Sequence, residues 1–165
     1  MRALTFFMIA VVIAVADQLS KWSVSRNVPP SGRPLILGIF SLTPTHNTGG
    51  AFSLLQAHNW LFLTIGCVAL LALVAAFFLQ RRRDLVVSAA LALALGGAIG
   101  NLIDRATLGY VRDFFHLHDF EGRTLWPVFN IADSAITVAV VLLAYRALRP
   151  AREREPAPAS DTPAS

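Results

Sequence analysis

The sequence predicts an all-α membrane protein: four transmembrane helices, with a small extracytoplasmic β-sheet resting on the outer surface. Three observations carry this. Of 165 residues, 55% are apolar and 15% charged, with a mean hydropathy of +0.58, which is more apolar than soluble domains ordinarily are. The apolar residues fall in four blocks near the roughly 20 residues that a helix needs to cross a hydrocarbon core of about 30 Å. The arginines cluster on alternate connections, as they do where Lys and Arg are retained on the cytoplasmic side.

The first block runs from Leu4 to Trp22. Its Ala14-Val15-Ala16 before Asp17 resembles a signal-peptide cleavage site, but cutting there would put the remaining arginine clusters on opposite sides, so the block is read as a retained span. At its outer end Asp17 and Lys21 stand at i and i+4, the orientation that forms an ion pair, with an interfacial pair and a snorkelling lysine as the plain alternative. Residues 23 to 59 hold a turn signal, Pro29-Pro30-Ser31-Gly32, and then Leu35 to Leu42, too short to span and read as a β-strand. Asn47-Thr48-Gly49-Gly50-Ala51-Phe52-Ser53 follows, which alone reads as a hairpin turn.

The second block, Trp60 to Leu79, has no charge, and a short turn from Gln80 to Asp84 carries Arg81, Arg82 and Arg83. In the third, Leu85 to Ile103, the glycines Gly96, Gly97 and Gly100 allow close helix approach. Asn101 and Arg105 share a face there, pointing jointly into the bundle or toward a substrate carbonyl; Asp104 is read as ending the span. The fourth block runs from Ile131 to Tyr145, short unless it extends to Leu148. Residues 1–150 are expected to form one domain, and 151–165, rich in Pro, Ala and charge, a disordered cytoplasmic tail.

In this topology 8 basic residues lie on one side and 6 on the other, but the 8 are packed into short flanks: Arg2, Arg81 to Arg83, Arg146, Arg149, Arg152 and Arg154. Both termini are therefore expected in the cytoplasm, with the two long polar segments outside. Retention and anionic headgroups account for the pI near 10.2, so nucleic acid is not expected as a partner. Cys67, the single cysteine, leaves the redox compartment undecided.

Two aspartates stand near the outer ends of spans, Asp113 in Val111-Arg112-Asp113-Phe114-Phe115, read as a loop after the third span, and Asp133 in Phe129-Asn130-Ile131-Ala132-Asp133-Ser134. A charge at the centre of a membrane helix costs about 2.5 to 3.5 kcal/mol on insertion scales, so a carboxylate kept there has a partner or a task. For Asp133 the structural alternative is a capping box with Asn130, but this leaves Asp113 unexplained. Two convergent carboxylates share a proton; the ionised one activates a water and the protonated one polarises a carbonyl, which is peptide hydrolysis without metal. His116-Leu117-His118 lacks the HExxH pattern, and its two imidazoles are read as pointing apart, so no metal or cofactor is expected. Ser20 and Lys21 do not face each other as a dyad, no Gly-x-Ser-x-Gly elbow is present, and His46 and His58 are read as interfacial.

Four segments together resemble the lipoprotein signal peptidases of the signal peptidase II type: Asp17-Gln18-Leu19-Ser20-Lys21; Asn47 to Ser53; Gly96 to Arg105 with Val111-Arg112-Asp113-Phe114; and Phe129 to Ser134. The resemblance implies an inner-membrane aspartyl endopeptidase that removes the signal peptide of a bacterial prolipoprotein, cutting before the cysteine that carries diacylglyceryl. Asp113 and Asp133 match the catalytic pair. Asp17, Lys21, Asn47, Gly97, Asn101, Arg105 and Asn130 match supporting or substrate-binding positions. It further implies an outer β-cradle and a small amphipathic helix, which residues 23 to 59 would supply, an active site near the periplasmic face, and a monomer whose partners are diacylglyceryl-prolipoprotein and membrane lipid. Gly50 stands where the pattern commonly has alanine.

The alternative is a small transporter or proton-relay protein with paired carboxylates. It would carry polar residues in midspan on several helices, whereas the second span has only Thr64 as a hydrogen-bonding side chain. A noncatalytic assembly subunit would not need convergent acids, and a presenilin-like protease would have a Gly-x-Gly-Asp motif, which this chain lacks.

Overall fold

The computed structural model describes residues 1–36, 38–48, 59–80 and 84–149. The glycine-rich motif from Gly49 to Ser53, His58, the Arg81 to Arg83 turn and the C-terminal tail lie outside the described residues. So does any amphipathic helix within 49–58, since the described part of the outer segment that follows the first span is turn and strand.

The elements in chain order are α1 (Ala3–Asn27), β1 (Arg33–Ile36), β2 (Phe40–Asn47), α2 (Asn59–Leu79), α3 (Leu85–Leu108), β3 (Val111–His118), β4 (Thr124–Phe129) and α4 (Ile131–Leu148). All four helices are long and apolar enough to cross a membrane. Two run further than the apolar blocks: α1 continues past Trp22 to Asn27, where Ser25 and Asn27 bond carbonyls of the helix itself, and α3 continues past Ile103 to Leu108, where Asp104 is buried and paired. The fourth takes its longer form, to Leu148.

Local chemistry sets the helix ends. The Asp84 side chain caps α3 by accepting from the backbone N–H groups of Val86 and Val87, and Gly109, at φ 82° in the left-handed region, ends it. At α4 Asn130 and Asp133 form a full capping box. After α1, Val28 is extended, as a residue before proline must be.

The central element is α3, packed against each of the other helices. Its glycines are close-approach points, Gly96 and Gly100 facing α1 and Gly97 facing α4. A Cβ at Gly96 would lie 2.6 Å from the Ala10 carbonyl oxygen on α1, and one at Gly97 would lie 2.5 Å from the Ala132 carbonyl oxygen on α4. At Gly100 it would lie 2.5 Å from a carboxylate oxygen of Asp17. Only 6% of the apolar window of α2 is buried, against 44% for α3, so α2 presents its surface to lipid. The half of the bundle near Gln80 and Asp84 is an apolar core in which Phe6 stacks on Phe77 at 4.0 Å beside Leu91 and Leu95. The other half is polar.

A four-stranded antiparallel sheet, in the order β1-β2-β3-β4, joins the polar half. The stretch Leu35 to Leu42, expected as one strand, is broken by a turn in which Gly38 takes φ 82°, giving the β1–β2 hairpin. Asp113 is not in a loop but on β3. On one face of the sheet Phe115 and Leu117 lie across from Leu42 and Phe40 on β2 and from Phe129 and Trp126 on β4. On the other, His116 hydrogen-bonds Thr43 and Thr124, and Thr43 bonds Ser41. His116 and His118 do not diverge: residues i and i+2 of a strand share a face, and the two rings are 5.0 Å apart. Among the described residues no group of three or more His, Cys, Asp or Glu is arranged to hold a metal ion.

Candidate active site

The two aspartates come from different kinds of element. Asp113 is the third residue of β3, 3% exposed, and Asp133 lies in the first turn of α4. Both line one cleft of about 330 Å³ together with Asn47, Asn101 and Arg105, walled by Val111, Thr137 and the Trp126 to Phe129 segment of β4. An adjoining, more apolar cleft of about 400 Å³ is lined by Leu117, Trp126, Phe129, Asp133, Ser134, Thr137 and Val138.

Strand register delivers Asp113. Leu42 pairs with Phe115 but Thr45 pairs with Asp113, so β2 holds an extra residue at Thr43–Pro44. Such a bulge re-aims side chains, and it tolerates a proline that lacks a ladder donor. Beyond it Asn47 comes within reach, and its Nδ2 donates to Asp113 Oδ2 at 2.8 Å across 66 residues of sequence.

Asn130, fully buried, joins the pair. Its Nδ2 donates to Asp113 Oδ1 at 2.6 Å, its backbone N–H donates to Asp133 Oδ2 at 3.2 Å, and its Oδ1 accepts from the Asp133 backbone N–H at 2.9 Å. Asn101 Nδ2 donates to Asp133 Oδ1 at 2.8 Å. Among the described residues the donors to the two carboxylates are neutral. Burial, together with the Asp133 charge, pushes the Asp113 carboxyl up to about 6 against the donated bonds of Asn47 and Asn130, which pull it down.

Beneath them lies an ionic layer. Lys21 does not snorkel: it is 0% exposed, 2.7 Å from Asp17 Oδ2 and 3.4 Å from Asp104 Oδ2, and it donates to Asn101 Oδ1 at 2.9 Å. Asp17 Oδ1 accepts from the Ala132 backbone N–H at 3.0 Å, tying α1 to the start of α4. Asp104, expected merely to end the span, is 0% exposed and paired with both Lys21 and Arg112. The i,i+4 pair Asp17–Lys21 is thus the base on which Asn101 holds Asp133.

Asn101 and Arg105 share a helical face, yet divide its tasks. The described bonds of Asn101 all run into the bundle, to Lys21, Asn130 and Asp133. The Arg105 guanidinium lies over the Phe62 ring at 4.2 Å, with Nη1 buried and, among the described residues, without a hydrogen-bond partner. Gly97 contributes space, since α4 could not approach a side chain there. Sequence reasoning gave no role to Gln18 or Arg112, nor to the β4 wall. Their only signal was adjacency to Asp17 and Asp113, which acquires meaning once the strand is known.

The chain as a whole is similar to known proteins. The family model described as signal peptidase (SPase) II matches residues 9–149. The lipoprotein signal peptidase of Moorella thermoacetica is 41% identical over 155 residues, covering 92% of this chain and 99% of that protein. That of Bacillus subtilis is 40% identical over 141 residues, covering 84% and 89%. A bacterial membrane enzyme structure obtained by the in meso method at 1.9 Å resolution superposes with a TM-score of 0.81 at 31% identity, covering 90% of this chain and 96% of that one.

Proposed function

Because the chain belongs to the signal peptidase II family, we propose that it removes the signal peptide of lipid-modified prolipoproteins as an aspartic endopeptidase, with Asp113 and Asp133 as the catalytic pair. The protein is a multi-pass bacterial membrane peptidase, and its substrate class is the prolipoprotein. The observation that carries the aspartic reading is Asn130, whose side-chain and backbone nitrogens donate to the two carboxylates and so hold both toward one cleft.

In this reading Asp113 carries the shared proton and Asp133 the charge. The start of α4 favours an anion at Asp133 through the helix dipole and the Asn130 backbone N–H that donates to it, by up to about 2 kcal/mol when partly buried. Arg112 does not upset this bias, because strand alternation turns its side chain away from Asp113 toward Asp104. Asp133 takes a proton from the attacking water. Asp113 donates its own to the carbonyl oxygen at the scissile bond and takes it back as the tetrahedral intermediate collapses, while Asp133 passes the proton it took from water to the leaving amine nitrogen. Arg105, with a buried nitrogen at the cleft that has no partner among the described residues, orients a substrate carbonyl. Asn101, Lys21 and Asp17 hold the charged partner in place.

Cleavage falls before the lipid-modified cysteine, and the lipid is part of what is recognised. Purified protein in detergent should cleave a diacylglyceryl-modified prolipoprotein and leave the unmodified precursor intact; equal cleavage of both would remove the lipid from the recognition. Residues 1–150 form the peptidase domain, with both termini cytoplasmic and the cleft near the periplasmic face. Reporter fusions at Gln80 and Ala151 should read cytoplasmic, and fusions near Arg33 and Gly122 external. A periplasmic signal at Ala151 would overturn this topology.

A further inference from the structure

We propose that Arg112 is a positioning residue for cleavage: clamped to Asp104, it holds the start of β3 so that the neighbouring Asp113 stays in register with Asp133. The inference rests on the reading of Asp113 as catalytic. Three bonds make the clamp. The Arg112 backbone N–H donates to Asp104 Oδ2 at 2.9 Å, Nε donates to the same oxygen at 3.1 Å, and Nη2 donates to Asp104 Oδ1 at 2.6 Å. The side-chain pair is bidentate, the arrangement in which a guanidinium fixes direction as well as distance.

The clamp also reaches α1. Arg112 Nη2 donates to Gln18 Oε1 at 3.1 Å, and Gln18 Nε2 donates to Asp104 Oδ1 at 3.0 Å and to the Gly100 carbonyl at 2.9 Å. Between Asp104 and Arg112 the chain leaves α3 through Gly109 and enters β3, a connection that Arg112 ties back onto α3. Asp113 needs such an anchor. Its own described partners, Asn47 and Asn130, are neutral amides, so its position follows from where the backbone of residue 112 is held. Because successive strand residues point to opposite faces, Arg112 can grip the bundle while Asp113 faces the cleft.

Arg112 touches no reacting atom in this account, so it acts on turnover and not on substrate binding. The test assays Arg112→Gln, Arg112→Lys and Asp113→Asn in detergent on a diacylglyceryl-modified prolipoprotein, with the folded fraction measured for each. Arg112→Gln should lower kcat per folded molecule roughly 10- to 100-fold, the scale of a misplacement near 1 Å, with KM within about threefold of the parent. Arg112→Lys keeps the charge but not the fork, and should recover part of that loss; if Arg112→Gln does not fold, Arg112→Lys must still lower kcat at constant KM. Unchanged kcat per folded molecule, with only a lower melting temperature, would overturn the proposal. So would a rise in KM at constant kcat. If Asp113→Asn cleaves, the catalytic reading itself fails. If it is inactive while Arg112→Gln turns over normally, only the clamp fails.

Discussion

Asp113→Asn and Asp133→Asn should each abolish cleavage while leaving the protein inserted and folded. An amide in either place can neither take the proton of the attacking water nor return one to the carbonyl. For Asp113 the loss of activity should come with a gain in stability that depends on pH. Its carboxyl ionises at about 6 in the folded protein, against 3.8 ordinarily, so ionising it in place opposes folding. A group whose folded pKa is raised stabilises fully below its unfolded value and loses that contribution as pH rises through the folded one. The cost of Asp113 is therefore absent below pH 3.8, grows to pH 6 and is constant above, reaching at most about 3 kcal/mol. Melting curves of purified Asp113→Asn and parent should coincide at pH 3.5 and separate by pH 7.5, the variant being more stable. Cleavage by either purified variant would end the aspartic assignment; a stability difference that shrinks as pH rises would end the electrostatic account of Asp113.

Lys21→Met should be among the most destabilising single substitutions in the chain. Asp17 and Asp104 are both 0% exposed and share the Lys21 ammonium. Removing one partner of a buried ionic cluster leaves uncompensated charge and costs about 3 to 5 kcal/mol, several times a surface ion pair. Asp104 keeps Arg112, so the larger penalty falls on Asp17, which holds the Ala132 backbone N–H at the start of α4. Adding Asp17→Asn to Lys21→Met should therefore restore part of the lost stability in detergent unfolding curves. If the two losses simply add, the ion pair is not what makes Lys21 necessary. Asp104→Asn disturbs the same cluster, so it cannot serve as a mild control for the catalytic substitutions.

Much of this molecule is written locally. Hydropathy over about 20 residues is a property of each segment, and the four spans can be read from it with errors only at their polar ends, where α1 and α3 run on. The capping box at Asn130 and Asp133 and the helical spacing of Asp17 and Lys21 are likewise set by neighbours three or four residues apart. What was not legible depends on partners far along the chain. That Asp113 lies on a strand, that Asn47 reaches it, and that Asp104 is buried beneath Arg112 follow from sheet register and helix packing. The sense of the His116–His118 pair also waited on knowing the strand and its face. A one-residue slip in β2 would turn each of its side chains to the other face, and only the bulge at Thr43–Pro44, settled by packing of the whole sheet on the bundle, decides which way they point. The sequence thus determined that two aspartates stand near the ends of apolar spans; bringing them to one cleft took the tertiary fold, because no local rule relates a strand residue to a helix start 20 positions later.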